Sequence, residues 1–394
     1  MRKILHLFLL IVVSNFSYAQ EVNKLSPEQL AKEMAKTIAI KWPDSLTHQP
    51  GTTAKWSYDL GVFFEGMANI YLVTHEKQYV TYMKHIMDVF VQPDGSIPRY
   101  TLNDYNIDYV KNGRTLLFLY KITKEDKYLK AASLLREQLK THPRTTDGGF
   151  WHKKVYPNQM WLDGIYMGQP FYAEWSATFN EDKNFDDIAN QFILIEKHAR
   201  DPKTGLLYHG WDESKRQEWA NKSTGNSSNF WGRAMGWYGM ALVDVLDYFP
   251  KNQPKRKLLQ DILTRYATAI ESVQQPQNGL WYQVLDQSDR KGNYPEASAS
   301  CMFVYTLAKG AKKGYLNGKS RRAAVKGFSG IKKQFLEFGK DGLLHLNGTV
   351  QVSGLGGTPY RSGTFEYYMS EPVISDDPKG MGAFILAADQ MRHL

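Results

Sequence analysis

The sequence predicts an all-α protein: an (α/α)6 toroid of about twelve helices, with one small β-hairpin in a late loop. Three observations predict it. Apolar residues recur at the helical period in about twelve segments. Those segments alternate between ones that are apolar nearly all round and ones with a single charged face, the patterns of buried and water-facing helices. A degenerate repeat also runs through the first half of the chain. LVTHEKQYVTYMKHIM, LYKITKEDKYLKAASLL and SATFNEDKNFDDIANQF each join an apolar helix end to a charged turn, then to a Tyr or Phe opening an amphipathic helix. Tyr79, Tyr128 and Phe185 mark the register, 49 and 57 residues apart.

The elements follow in order. Ser26 is placed as an N-cap, with Pro27 at the first helical position and Gln29 closing a capping box; Leu30, Met34 and Ile38 then share one stripe. Further helices are expected over 58–74, 76–91, 108–122, 125–140, 163–178, 183–199, 231–249, 254–274, 295–314, 319–338 and 377–391. The earlier member of each pair, such as 58–74 or 163–178, is the apolar one and belongs to an inner layer. The later member, such as 76–91 or 183–199, belongs outside. Six pairs closed in a ring give the toroid. Strand-like sequence is confined to loops, chiefly within 342–368, where GLLHLNGTVQVSGLGG reads as a hairpin.

Residues 1–19 combine a basic start, an apolar run from Ile4 to Val13 and a small-residue end at Ala19, which reads as a secretory signal. The remainder, 20–394, reads as a single catalytic domain, exported and destined for a bacterial periplasm. No later run is apolar enough to span a bilayer. The lone Cys301, in SASCMFVYTLA, reads as a buried core thiol. Without Arg2 and Lys3 the formal charge falls from +9 to +7, an excess that suits an acidic partner. No Lys/Arg-rich run stands out, so nucleic acid is not the expected partner; an anionic small molecule or sugar is. The sequence leaves the oligomeric state open.

Trp56 and Tyr58, Asp108, Asp163, Arg233, Glu296 and Lys379 all fall at or just before the starts of inner helices. In a closed ring those starts gather at one mouth, where helix N-termini offer free N–H groups to an anion. Asp163, in QMWLDGIYMGQPFYAEWS, and Asp108, in DYNIDYVKNGRTLL, each read either as N-caps or as acid/base groups. A carboxyl walled by Trp161 and Tyr166 is expected to favour its protonated form. Arg233, in NFWGRAMGWYGM, reads as a partner for Trp231 or Trp237, or as a bidentate clamp for a carboxylate. Trp237 reads as core or as a platform for a sugar ring. His209 and Trp211, in GLLYHGWDES, lie in a loop, where a structural histidine is less expected. His152 and Lys153, in WHKKVYP, sit one loop before Asp163. No metal-ligand spacing appears, no nucleophile elbow, and no Gly-rich cofactor loop.

Taken together, these motifs resemble the unsaturated glucuronyl and rhamnogalacturonyl hydrolases of glycoside hydrolase family 105. The resemblance rests on W-x-Y-x-x-G-V-F from Trp56, I-D-x-x-x-x-G-R-x-L-L from Ile107, and W-H-K with Y-P-x-Q-M-W-L-D-G-x-Y-M-G-x-P-F between Trp151 and Phe171. It continues through H-G-W-D-E, W-G-R-A-M-G-W, G-L-W-Y-Q-V-L-D and S-A-S-x-M-F-V-Y, in order along nearly the whole chain. It implies no cofactor and an acidic oligosaccharide substrate ending in a 4,5-unsaturated uronic acid. Protonation at C4 and addition of water at C5 would hydrate the vinyl ether, and the resulting hemiketal would open to release the aglycone. By the resemblance Asp163 is the acid and then the base, and Asp108 assists. Tyr58, Lys153, His209, Trp211, Arg233 and Trp237 line the subsite. Ala234 and Met235 stand where some relatives carry Gly-Asn, which concerns the leaving-group sugar.

Three other readings use the same residues. An inverting glycosidase would use two carboxylates and a water on a saturated sugar. A non-catalytic oligosaccharide-binding protein would need the aromatics and Arg233 but not both aspartates. An epimerase-like toroid would lean on histidines, of which the sequence offers few at the mouth.

Overall fold

The structure is a computed structural model and describes residues 21–47, 53–392 and 394; the signal expected at 1–19 lies outside them. Twelve long segments alternate as the periodicity predicts. The inner layer comprises α2 (Tyr58–Thr74), a 3-10 turn (Ile107–Asn112) running into α4 (Gly113–Thr123), α6 (Leu162–Thr178), α8 (Gly232–Val245), α10 (Ala297–Lys312) and α13 (Pro378–Met391). The outer layer comprises α1 (Pro27–Lys41), α3 (Lys77–Asp88), α5 (Asp126–Thr141), α7 (Asn184–Ala199), α9 (Arg256–Ser272) and α11 (Gly318–Gln334), with the short α12 (Phe365–Ser370) in a late loop.

The inner helices touch in sequence from α2 round to α13, and α13 packs back on α2, so the ring is closed. Its sixth hairpin is not contiguous: outer α1, from the start of the chain, covers inner α13, from its end. The Ser26–Gln29 capping box forms as expected, with reciprocal bonds of 2.8 and 3.2 Å. Leu30, Met34 and Ile38 are fully buried, each contributing about 1.5–3 kcal/mol relative to exposure. The repeat has a common backbone cause. His75, Lys124 and Asn180, in the turns before Tyr79, Tyr128 and Phe185, all adopt the left-handed conformation, with φ of 58°, 62° and 56°. The three marker aromatics are buried beneath the outer helices. Cys301 is buried, as expected.

Strands are where the sequence reading departs from the structure. GLLHLNGTVQVSGLGG does not fold on itself. Its first half, β4 (Leu344–Leu346), pairs with the preceding β3 (Leu336–Phe338), and its second, β5 (Thr349–Val350), pairs with the later β6 (Val373–Ile374). The helix expected to reach 338 therefore stops at Gln334, where β3 takes over. A further pair, β1 (Gln159–Trp161) with β2 (Gly210–Asp212), was not expected at all. Strands of two or three residues carry too little alternation to be read.

Candidate active site

The inner-helix starts do meet at one rim. Tyr58 is the first residue of α2, Asp163 the second of α6, Arg233 the second of α8 and Lys379 the second of α13, while Glu296 caps α10. Side chains link these starts around the ring. Asn112 donates to the Ser57 carbonyl at 3.0 Å, and Lys379 lies 3.5 Å from Asp59. His209 stands between α6 and α8, with its ring centroid 4.6 Å from Trp231.

Neither aspartate is an N-cap. Trp161 occupies that position on α6, and Asn106 caps the 3-10 turn through a 3.1 Å bond to the Asp108 N–H. Both carboxylates are thereby left for other partners. The β1–β2 pair supplies them for Asp163. Its register sets Trp161 against Gly210 and continues into a 3.0 Å bond from the Leu162 N–H to the His209 carbonyl. His209 is thus delivered to the first turn of α6, its Nε2 3.2 Å from Asp163 Oδ2. The two atoms are at ion-pair distance. On its other edge His209 Nδ1 lies 2.8 Å from the Tyr368 hydroxyl.

Asp108 is held on two sides, with Lys153 Nζ 2.6 Å from Oδ2 and His152 Nε2 3.6 Å from Oδ1. His152 is buried, stacks on Trp161 at 4.4 Å, and would sit 3.0 Å from a Cβ at position 164, which is glycine.

The electrostatics overturn one expectation. Burial by itself would push the Asp163 carboxyl up, as the aromatic surroundings suggested. The charge of His209 and its hydrogen bond to the carboxylate outweigh burial and hold the carboxyl below its ordinary value. Asp163 is therefore ionised in the free protein. Its expected wall is also different. Tyr166 faces away, stacking on Trp237 at 4.8 Å and donating to Glu65 at 2.8 Å; imidazoles flank the carboxylate instead. His152 is driven down to about 4, chiefly by burial and with Lys153 adding to it, so it is neutral at pH 7. Burial lowers Lys153 too, but the Asp108 carboxylate outweighs it and raises the amine above its usual range.

The remaining candidates divide. Tyr58 sits edge-on to Trp237 at 6.4 Å and within the field of Asp108 and Arg233; burial, then Asp59 and Asp108, hold its hydroxyl well above the ordinary tyrosine range. Trp237 is 1% exposed, so it is a floor beneath Tyr58 and not an open platform. Arg233 is also 1% exposed, and its guanidinium donates to the Val350 carbonyl and, at 3.5 Å, to that of Gln351. The free clamp expected for it is closed by this strap, whose Val350 N–H is gripped in turn by Glu296 at 3.0 Å. Trp211 does not join the cluster. It stacks on His198 of α7 at 3.7 Å and donates to the Thr224 carbonyl, which makes it a packing residue.

Sequence reasoning left out Tyr368 and gave His152 no role. A tyrosine in EYYMS carries no periodic signal, and the WHKK histidine was visible only as a neighbour of Lys153. Among the described residues, no group of three or more His, Cys, Asp or Glu side chains is placed to hold a metal ion.

Comparison with known proteins gives the family. Residues 30–394 match the model of Glycosyl Hydrolase Family 88. A family 105 glycoside hydrolase structure from C. acetobutylicum ATCC 824 is 47% identical, covers 92% of this chain and 99% of its own, and superposes with a TM-score of 0.89. The unsaturated rhamnogalacturonyl hydrolase YesR of Bacillus subtilis (strain 168) is 30% identical over 264 residues, 65% of this chain and 71% of that protein. The unsaturated glucuronyl hydrolase structure from Streptococcus agalactiae shares the fold alone, at 12% identity and a TM-score of 0.65 over 94% of this chain and 91% of its own. With its closed ring of helix pairs and its paired aspartates at the rim, the chain belongs to Glycosyl Hydrolase Family 88, stands beside the family 105 enzymes within that fold, and is a glycoside hydrolase.

Proposed function

We propose that this hydrolase removes a terminal 4,5-unsaturated uronic acid from acidic oligosaccharides, of the kind a polysaccharide lyase leaves, by hydrating the C4=C5 vinyl ether. The observation that carries the reading is the Asp163–His209 pair, with Nε2 and Oδ2 3.2 Å apart. An imidazole at that distance can pass a proton to the Asp163 carboxylate. The substrate's carboxylate adds a negative charge beside the pair and favours the proton on Asp163, from which it passes to C4. The resulting Asp163 carboxylate then takes a proton from the water that adds at C5. The C5 hemiketal opens, and the aglycone leaves with a hydroxyl.

In this reading Asp108 and Lys153, locked together at 2.6 Å, receive the ring hydroxyls. Arg233 contributes positive charge from beneath the strap, and the helix N-termini of the rim add theirs. The similarity to YesR and to the family 105 structure supports the substrate class. The basic, apolar start of the chain supports export, and both belong to the same proposal.

Turnover of an unsaturated uronyl disaccharide, followed as loss of its ultraviolet absorbance, tests it. The expected result is turnover of that substrate and none of the saturated equivalent. Cleavage of the saturated sugar at a comparable rate would make the enzyme an ordinary inverting glycosidase instead.

A further inference from the structure

Asp108 faces two ways. One side meets His152 and Lys153; the other lines a cavity of about 460 Å³ whose walls include Lys55, Tyr58, Arg99, Asn106 and Tyr109. That volume falls in the range of about 300–1,000 Å³ found for small-molecule sites. Tyr58 and Asp108 are common to this cavity and to the catalytic cluster, so the two spaces adjoin. The charge of the lining is uneven. Among the described lining residues Asp108 is the only carboxylate, and it is already paired with Lys153 at 2.6 Å. Lys55 and Arg99 supply two cations, both exposed, and Arg99 donates to the Ala54 carbonyl. Tyr109, half-buried on the wall, offers an apolar face to a ring.

We infer that this cavity receives the leaving-group sugar and that Lys55 and Arg99 select leaving sugars bearing an anionic substituent, either a carboxylate or a sulfate ester. The inference rests on the activity proposed above and deepens it by naming what lies on the far side of the scissile linkage. Two water-facing cations bind an anion modestly, and salt screens the attraction. They discriminate between leaving groups while leaving the chemistry at C4 untouched.

Three disaccharides with the same unsaturated uronic acid separate the possibilities, their leaving sugars neutral, carboxylated or sulfated. With wild type, the charged leaving sugars should show the lower KM, and the advantage should fade between low salt and about 0.5 M NaCl. In a Lys55→Ala/Arg99→Ala variant, KM for charged leaving sugars should rise about three- to tenfold. Its kcat, and both constants for the neutral substrate, should stay within about twofold. The carboxylated and sulfated arms decide which anion is preferred. An equal loss on neutral and charged substrates, or no wild-type preference for charge, would overturn the inference. If none of the three is turned over, the proposed activity fails on its own. Calorimetric binding of the free carboxylated and sulfated monosaccharides, weakened in the double variant or not, then still decides what the cavity holds.

Discussion

The protonation of Asp163 is decided by neighbours the linear sequence keeps 11 and 46 residues away, His152 and His209. This gives two residue-scale predictions. Asp163→Asn keeps the size and removes the proton carrier, so kcat should fall by about 10²–10⁴ with KM changed far less, as steady-state absorbance assays would show. His209→Ala removes the largest influence opposing burial, so the Asp163 carboxyl should titrate at higher pH than in wild type. A carboxylate-resolved NMR titration reads that shift directly, and an unmoved or lowered value would contradict the pairing. The sequence made Asp163 legible as a candidate because it heads an aromatic-rich helix. It could not show the imidazoles, because their approach depends on a three-residue strand pair. Trp211 was misplaced for a related reason. Its neighbour His209 turns to Asp163, but Trp211 itself is taken by His198, a contact across an outer helix that no local pattern announces.

Among the elements, helices were readable and strands were not. Six inner and six outer segments follow from periodicity, and the rim follows from where the inner ones begin. The strap at Thr349–Val350 has no such signature, yet it decides what Arg233 can do. Arg233→Met should remove the donor to the buried Val350 carbonyl and destabilise the fold by about 1–3 kcal/mol, read from urea unfolding. The neighbouring β3–β4 hairpin carries a pH-sensitive tie. His345 Nδ1 lies 2.7 Å from Asp376, which also receives Lys41 from α1 at 2.6 Å. Burial lowers the His345 pKa, but bonds to Asp376 and Asp341 outweigh it, and the net shift is upward. A raised histidine stabilises the fold most fully below its unfolded value, near 6.5, and loses that contribution as pH climbs through the folded value. His345→Gln should therefore cost thermal stability at pH 5.5 and much less at pH 9, measured as Tm at both.

Across the whole molecule, the ring is threaded by buried charge. Below Tyr166, Glu65 accepts from that hydroxyl and meets Lys111 at 2.6 Å and Arg114 at 2.7 Å; Arg114 continues to Asp244, which holds Lys309 at 2.6 Å. This chain runs from the floor of the catalytic rim to the opposite end of the toroid. Burial, with Arg114 close by, already lowers the Lys111 pKa against the pull of Glu65. Glu65→Leu would strand that cation and should cost about 3–5 kcal/mol, seen as a lowered urea midpoint; Glu65→Gln, which keeps the bond to Tyr166, should cost less. None of this was legible, since each charge reads as an ordinary polar position within its own apolar helix. The seam between α1 and α13 acts on a different timescale. α1 precedes α13 by most of the chain, so the apolar stripe of Leu30, Met34 and Ile38 lacks most of its native cover until α13 has been made. The opening segment of the polypeptide must wait for its closing one, and any assistant that shields nascent chains has its longest task at that stripe.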